Sequence, residues 1–301
     1  MRIALTGASG FIGRHLLPIL LADKHEIVAV TRDASRLSQW VGRISIVELD
    51  LSQRHGACYE RLGQPQLLIH LAWDGLPNYG ALRHFEDELP AQYRFLKQLI
   101  EEGLPSLLIT GTCFEYGEYA GCLNEGMPPT PNTVYGYAKN ALRQQLGFLK
   151  KDHPFNLSWA RLFYMYGEGQ SKNSIYSQLC LAAQNKSEFF AMSSGEQLRD
   201  YLSVEGVAEK LATLARINQD AGVVNISSGK PVAIRTMVDE EGEGPRVILG
   251  PLSLEAFFHA AQKLGAEQSL DGKLGRVAMR FVDRAGDVHP GIDDAETICA
   301  D

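Results

Sequence analysis

The run Arg2-Ile3-Ala4-Leu5-Thr6-Gly7-Ala8-Ser9-Gly10-Phe11-Ile12-Gly13 opens the chain, and its reading decides the fold. A brief apolar stretch ending in a turn predicts a buried strand over Arg2–Thr6. Glycines at every third position then turn the backbone, and the apolar spacing from Phe11 to Ala22 predicts a helix. This geometry suits an anion. Without Cβ atoms the backbone can lie against a pyrophosphate, and the helix start supplies unpaired N–H donors and the positive end of its dipole. Gly7, Ser9, Gly10, Phe11, Ile12 and Gly13 are therefore the candidate phosphate cradle of a dinucleotide site.

Working outward, short apolar runs at Glu26–Thr31, Ile44–Leu49, Leu67–Leu71, Ser106–Thr110 and Ser158–Phe163 read as further buried strands. Helical patterns at Leu89–Glu102 and Val134–Lys150 alternate with them. The alternation predicts an α/β fold, a Rossmann-type doubly wound parallel sheet covered on both faces. Beyond it, Ser174–Ala183, Val204–Ile217 and Leu252–Leu264 read as helices and Gly222–Ile226 as one more strand. Asp239–Gly244, four acids and two glycines, reads as a solvated loop. The last fifteen residues, with no Lys, Arg or aromatic, are expected to fray.

Composition narrows the partners. With 45% hydrophobic and 22% charged residues among 301, the chain is a folded protein rather than a disordered one. Its net charge of −7 sets a repulsive field against nucleic acid, so no nucleic-acid partner is expected and a small molecule is the default. Five scattered cysteines with no CxxC pair fit neither a disulfide framework nor a zinc site, so no metal is expected and a reducing cytoplasm is. Leu16–Ala22 is far short of the roughly 20 residues that span a bilayer, and Met1-Arg2 leads straight into a strand, so neither membrane segment nor signal peptide is expected.

Two further features belong to a dinucleotide site. The second strand ends Thr31-Arg32-Asp33, where an acid would take the ribose hydroxyls of NAD and a cation would accept the extra phosphate of NADP. Arg32 leans toward NADP over NAD; the alternative is a surface Arg32 with Asp33 on the ribose. Asp50, past the third strand, is placed for the adenine amino group or is simply a turn residue. Tyr135-Gly136-Tyr137-Ala138-Lys139 puts a phenol and an ammonium on one helix face, one turn apart. A phenol with a pKa near 10 is a poor base at neutral pH, and a neighbouring cation favours its phenolate. Tyr93-Arg94-Phe95-Leu96-Lys97 has the same spacing but precedes the fifth strand, whereas Tyr135 follows it, near the sheet end where ligands collect. At that end, Thr110-Gly111-Thr112-Cys113-Phe114-Glu115-Tyr116-Gly117 offers a hydroxyl that can share a proton with the tyrosine.

With these residues in place the chain resembles the extended short-chain dehydrogenase/reductase family, in particular its nucleotide-sugar epimerases, dehydratases and ketoreductases. The resemblance rests on Thr6–Gly13, Asp50-Leu51, His70-Leu71-Ala72, Thr112–Gly117, Tyr135–Lys139, Arg161–Gly167 and Arg199-Asp200-Tyr201, and covers residues 1 to about 235. It implies a dinucleotide-binding domain over 1–165, to which 204–226 return, and a smaller C-terminal α/β substrate domain from 166–203 and 227–301. It implies Tyr135 as general acid/base, Lys139 on the nicotinamide ribose, Thr112 as third catalytic member, and Leu51, Leu71 and Ala72 as cofactor contacts. Arg199 and Asn173 would hold the diphosphate of a nucleotide sugar, with Cys113 and Phe114 beside the sugar; for Arg199 a surface salt bridge to Asp200 or Glu196 is the alternative. A homodimer through the helices at Leu89–Glu102 and Tyr137–Lys150 is also implied.

Departures from the family pattern shape the expected chemistry. The 4,6-dehydratases carry an Asp-Glu pair directly after the catalytic threonine; here those positions are Cys113 and Phe114, which argues against dehydration. Cys113 is either an acid/base for epimerisation or a small apolar filler. Gly206 stands where relatives carry an acid, which puts local helix capping in question. The expectation is an NAD(P)-dependent reductase of a nucleotide-activated 4-keto-6-deoxy sugar. Its rivals are a 4-epimerase with retained NAD, a reductase of non-sugar carbonyls and a non-catalytic dinucleotide sensor.

Overall fold

Seven parallel strands carry the larger part of the chain. The computed structural model describes residues 1–119, 121–185, 195–234 and 236, which fall into two units: Met1–Met165 with Leu202–Ser227, and Tyr166–Tyr201 with Ser228–Asp301. The expected helix at Leu252–Leu264, the acidic loop at Asp239–Gly244 and the frayed terminus lie outside the described residues.

In the first unit β1 (Arg2–Thr6), β2 (Glu26–Thr31), β3 (Ser45–Glu48), β4 (Leu67–His70), β5 (Ser106–Thr112), β6 (Asn156–Leu162) and β9 (Gly222–Ile226) form one sheet in the order β3-β2-β1-β4-β5-β6-β9. Every pairing is parallel. Buried on both faces, such strands read as continuous apolar runs, which is why they were visible in the sequence. One face packs against α1 (Gly13–Ala22) and α6 (Val204–Ile217) through Leu16, Leu17, Leu20, Val207 and Leu211. The other packs against α3 (Leu89–Glu101) and α4 (Val134–Asp152) through Phe95, Leu96, Leu99, Leu142 and Leu146. A one-turn helix, α2 (Cys58–Arg61), precedes β4.

Several boundaries shift by one or two residues from the sequence reading, and two of the shifts shape the site. Helix α1 starts at Gly13 rather than Phe11, because Gly10 N–H is spent on the Gly7 carbonyl at 2.9 Å in the preceding turn. Strand β5 runs two residues past Thr110, paired with β6 as far as Thr112–Leu162, so Thr112 stands at the very end of a central strand.

The second unit contains α5 (Ile175–Gln184) and most of a three-stranded sheet in the order β10-β8-β7, formed by β7 (Tyr164–Tyr166), β8 (Leu198–Ser203) and β10 (Pro231–Ala233). β8 and β10 are antiparallel, with Asp200 opposite Pro231. The Asp200 carboxylate accepts from Ser228 N, Ser228 Oγ and Gly229 N, each at 2.7 Å, closing the turn that leads into β10.

Candidate active site

Thr6 ends β1 with its side chain wholly buried. Its hydroxyl accepts the backbone N–H groups of Leu71 and Ala72, each at 3.2 Å, and lies 3.0 Å from His70 Nδ1. The Thr6 hydroxyl and His70 Nδ1 thus share one hydrogen bond inside the sheet. Burial, and then the Lys139 cation, pushes His70 down to about 3, so it stays neutral at ordinary pH. Thr6 thereby ties the ends of β1 and β4 together beside the glycine turn. Gly7 has a φ of +72°, and a Cβ there would crowd Ala72 N at 3.0 Å; a Cβ on Gly13 would overlap the Gly7 carbonyl oxygen. Ile12, at the cap position of α1, contributes no side-chain hydrogen bond to the helix start. The turn fits a dinucleotide pyrophosphate: it is bare where a Cβ would intrude, and its helix donors are not consumed by a capping side chain.

At the other end of this cradle Arg32 behaves differently from the expectation of a phosphate-receiving cation. It donates to both carboxylate oxygens of Asp74, at 2.6 and 3.2 Å. Asp33 caps the 3-10 turn over Ala34–Trp40, and its bonds from the Ser35 hydroxyl and backbone hold its carboxyl below the usual range. Asp50 accepts from Ser52 N at 2.9 Å and Ser52 Oγ at 2.8 Å, the turn role that the sequence left open, and is likewise held low, first by the Ser52 backbone bond. Leu51, half-buried, packs on the core beneath.

The three expected catalytic residues converge at the end of β5. Thr112 Oγ1 accepts Phe114 N–H at 3.3 Å, and its hydroxyl favours the charged form of Tyr135, which is only 7% exposed. Gly136 lets the first turn of α4 settle on this segment, since a Cβ there would overlap the Phe114 carbonyl oxygen. Lys139, 1% exposed, donates to the Thr110 carbonyl at 2.9 Å and sits 4.2 Å above the Trp73 ring and 6.0 Å from the centre of the Tyr135 ring. Burial raises the Tyr135 phenol above its ordinary range, reinforced by Tyr79, Glu115 and Cys113 and opposed by the nearby Thr112 hydroxyl. Burial likewise lowers Lys139 to about 7, against the raising pull of Glu115 and Glu88. The site thus holds Tyr135 protonated at neutral pH, ready to give a proton. Desolvation governs the phenol, not the lysine charge on which the sequence argument relied.

Around this centre Trp73, Tyr79 and His84 escaped the sequence reading, whereas Phe114 was expected beside the sugar. Trp73, Tyr79, His84 and Phe114 surround the Tyr135 ring at 6.0, 5.7, 5.3 and 6.4 Å, and Tyr135 N–H donates to the Tyr79 carbonyl at 3.0 Å. Trp73 Nε1 donates to His84 Nδ1 at 3.1 Å and His84 Nε2 reaches Asn78 O at 2.8 Å, so both imidazole nitrogens are engaged. Behind Thr112, the fully buried Glu115 accepts from Thr112 N, Trp159 Nε1 and Arg161. Cys113 is half-buried. The decoy pair separates as expected: Tyr93 packs on the core under α3, and Lys97 pairs with Glu101. In the second unit, Arg199 donates to Leu198 O and Gln197 Oε1, each at 2.8 Å, and the Asn173 carbonyl accepts from Gln178 Nε2 at 3.2 Å. Helix α6 is capped without the missing acid: Ser203 Oγ accepts Gly206 N–H at 3.1 Å.

A profile of the NAD-dependent epimerase/dehydratase family matches residues 3–227. The chain belongs to that family. A dTDP-6-deoxy-L-talose 4-dehydrogenase (NAD(+)) from Aggregatibacter actinomycetemcomitans is 30% identical over 244 residues, 80% of this chain and 89% of that protein. A dTDP-L-rhamnose 4-epimerase from Burkholderia thailandensis is 25% identical, over 78% of this chain and 79% of its own. Among solved structures, MoeE5 in complex with UDP-glucuronic acid and NAD superposes with a TM-score of 0.68 at 25% identity, covering 96% of this chain and 88% of that one. This epimerase/dehydratase-family member is an enzyme of the extended short-chain dehydrogenase/reductase type, as the motifs implied. Among the described residues no helix is long and apolar enough to cross a membrane, and no His, Cys, Asp and Glu cluster could hold a metal.

Proposed function

We propose that this family member is an oxidoreductase acting at C4 of a nucleotide-activated 4-keto-6-deoxy sugar. The observation that carries the reading is the buried grouping of Thr112, Tyr135 and Lys139 at the end of β5, with Lys139 Nζ 2.9 Å from the Thr110 carbonyl and 6.0 Å from the centre of the Tyr135 ring. When bound, a reduced nicotinamide supplies the hydride to C4. Tyr135 gives its hydroxyl proton to the C4 oxygen, and the Thr112 hydroxyl, which favours the charged form of the tyrosine, stabilises the phenolate left behind. Lys139, which donates to the Thr110 carbonyl in this structure, would hold the ribose of the cofactor. Phe114 and Cys113 border the sugar, in the two positions where the 4,6-dehydratases carry the Asp-Glu pair that serves water elimination. Arg199 and Asn173 are assigned to the diphosphate. The identity to a 4-dehydrogenase of a dTDP-6-deoxy sugar supports the deoxysugar assignment. The 4-epimerase relative keeps epimerisation, through the same tyrosine, as the second reading.

We infer a cytoplasmic homodimer. The described cysteines form no disulfide, and α4 turns Tyr137 and Phe148, 56% and 66% exposed, to one side. They are separated by three helical turns and therefore share a face.

Assaying NADH and NADPH oxidation against a panel of nucleotide 4-keto-6-deoxy sugars decides the reaction. Stoichiometric oxidation supports reduction, whereas sugar turnover without net absorbance change favours epimerisation. Tyr135→Phe is expected to lower kcat by about 10²-fold or more while leaving dinucleotide affinity within a few-fold. Full turnover by Tyr135→Phe would overturn the proposal.

A further inference from the structure

We propose that Asp74 sets cofactor choice in this enzyme, neutralising Arg32 so that the adenosine end of the cradle takes the ribose diol of NAD in preference to the 2′-phosphate of NADP. The proposal rests on the dinucleotide reading of the glycine turn and deepens it.

The strand order β2-β1-β4 puts the ends of β2 and β4 on either side of the turn that follows β1. Arg32 is the first residue after β2, and Asp74 lies in the segment after β4; their side chains meet through two parallel N–H···O bonds. That fork is the one with which a guanidinium would grip a phosphate, and here a carboxylate already holds it.

The surrounding charges point the same way. Asp50 feels the Arg32 charge, Asp33 feels Arg36, and Glu48 Oε1 accepts Ala34 N–H at 2.8 Å beside them. Asp74 and Asp50 thus both act on Arg32, so more than one carboxylate answers this cation. A phosphate monoester brings a further charge of roughly −1.5 to −2. A ribose diol brings two hydroxyl donors, which acidic acceptors suit. Arg32 read alone pointed to NADP; Arg32 read with the residue it touches points to NAD.

Arg32 and Asp74 side chains are 59% and 44% exposed, so the pair is salt-screened and the expected effect is about tenfold, not thousands. Neither side chain supports the core. The test is calorimetric titration of nucleotide-free, full-length enzyme with NAD and, separately, NADP. Wild type is expected to bind NAD tighter by about tenfold. Asp74→Asn is expected to tighten NADP by about tenfold, leave NAD within about threefold, and lose its gain in the Asp74→Asn/Arg32→Ala double variant. Rising salt should shrink the gain. If wild type binds NAD and Asp74→Asn leaves the NAD-to-NADP ratio unchanged, or if wild type prefers NADP, the proposal is wrong while the dinucleotide site stands. If wild type binds neither nucleotide, both readings fall.

Discussion

At the scale of single residues, the most consequential side chain behind the candidate site is Glu115. It is fully buried, and its oxygens receive Thr112 N–H at 2.8 Å, Trp159 Nε1–H at 2.9 Å and Arg161 at 2.9 and 3.1 Å. The Arg161 guanidinium also lies 4.2 Å above the Tyr116 ring. Removing one partner of such a pair strands the other charge in an apolar interior, which costs about 3–5 kcal/mol. Glu115→Ala is therefore expected to lower unfolding stability by that order in denaturant titrations. Glu115→Gln keeps a hydrogen-bonding oxygen for Thr112 and should cost less. His70 sets a pH dependence. Its folded-state pKa of about 3 lies below the ordinary 6.5, so the unfolded chain binds the extra proton first as pH falls. The sign follows: this part of the stability is complete above pH 6.5 and is lost as pH falls toward 3, by on the order of 1 kcal/mol per pH unit. Thermal melts should show a shallower acid limb in His70→Asn; an unchanged limb would remove His70 from the account.

At the scale of elements, α6 offers a clean capping test. Ser203 accepts Gly206 N–H at 3.1 Å, and Ser203→Ala is expected to cost about 1 kcal/mol in equilibrium unfolding, read as a lower midpoint at constant m-value. The same helix shows what sequence reasoning handles well. Its boundaries, and the presence and order of the parallel strands though not all their ends, were legible because uninterrupted apolar runs and helical spacing have few other solutions in a two-faced sheet. The candidate site was legible where chemistry is carried by local spacing, as in Gly7–Gly13 and Tyr135–Lys139. It was not legible where partners come from distant strands. Nothing local to Arg32 reveals Asp74, 42 positions away, and nothing local to Glu115 reveals Arg161, 46 positions away. The same blindness explains the phenol: its pKa follows from burial under Trp73, Tyr79 and His84, residues of a segment without a recognisable period.

At the scale of the whole molecule, the outward face of α4 is the proposed dimer contact. Phe85 meets Tyr137 edge-on at 6.3 Å, and Phe148 extends the same apolar face. Phe148→Glu is expected to move the species seen by sedimentation equilibrium from dimer toward monomer without loss of helical content; an unchanged mass would exclude that face. The sheet also has a temporal consequence. Its last strand, β9, pairs with β6 although Gly222 is translated 60 residues after Leu162. During elongation at about 5–20 residues per second, the nascent sheet therefore carries a bare β6 margin for roughly 3–12 s, and the apolar side facing α1 also waits for α6. Ribosome-bound chains of this enzyme should be at their most vulnerable to mispairing in that interval, and a trigger-factor-like holdase would have its natural target there.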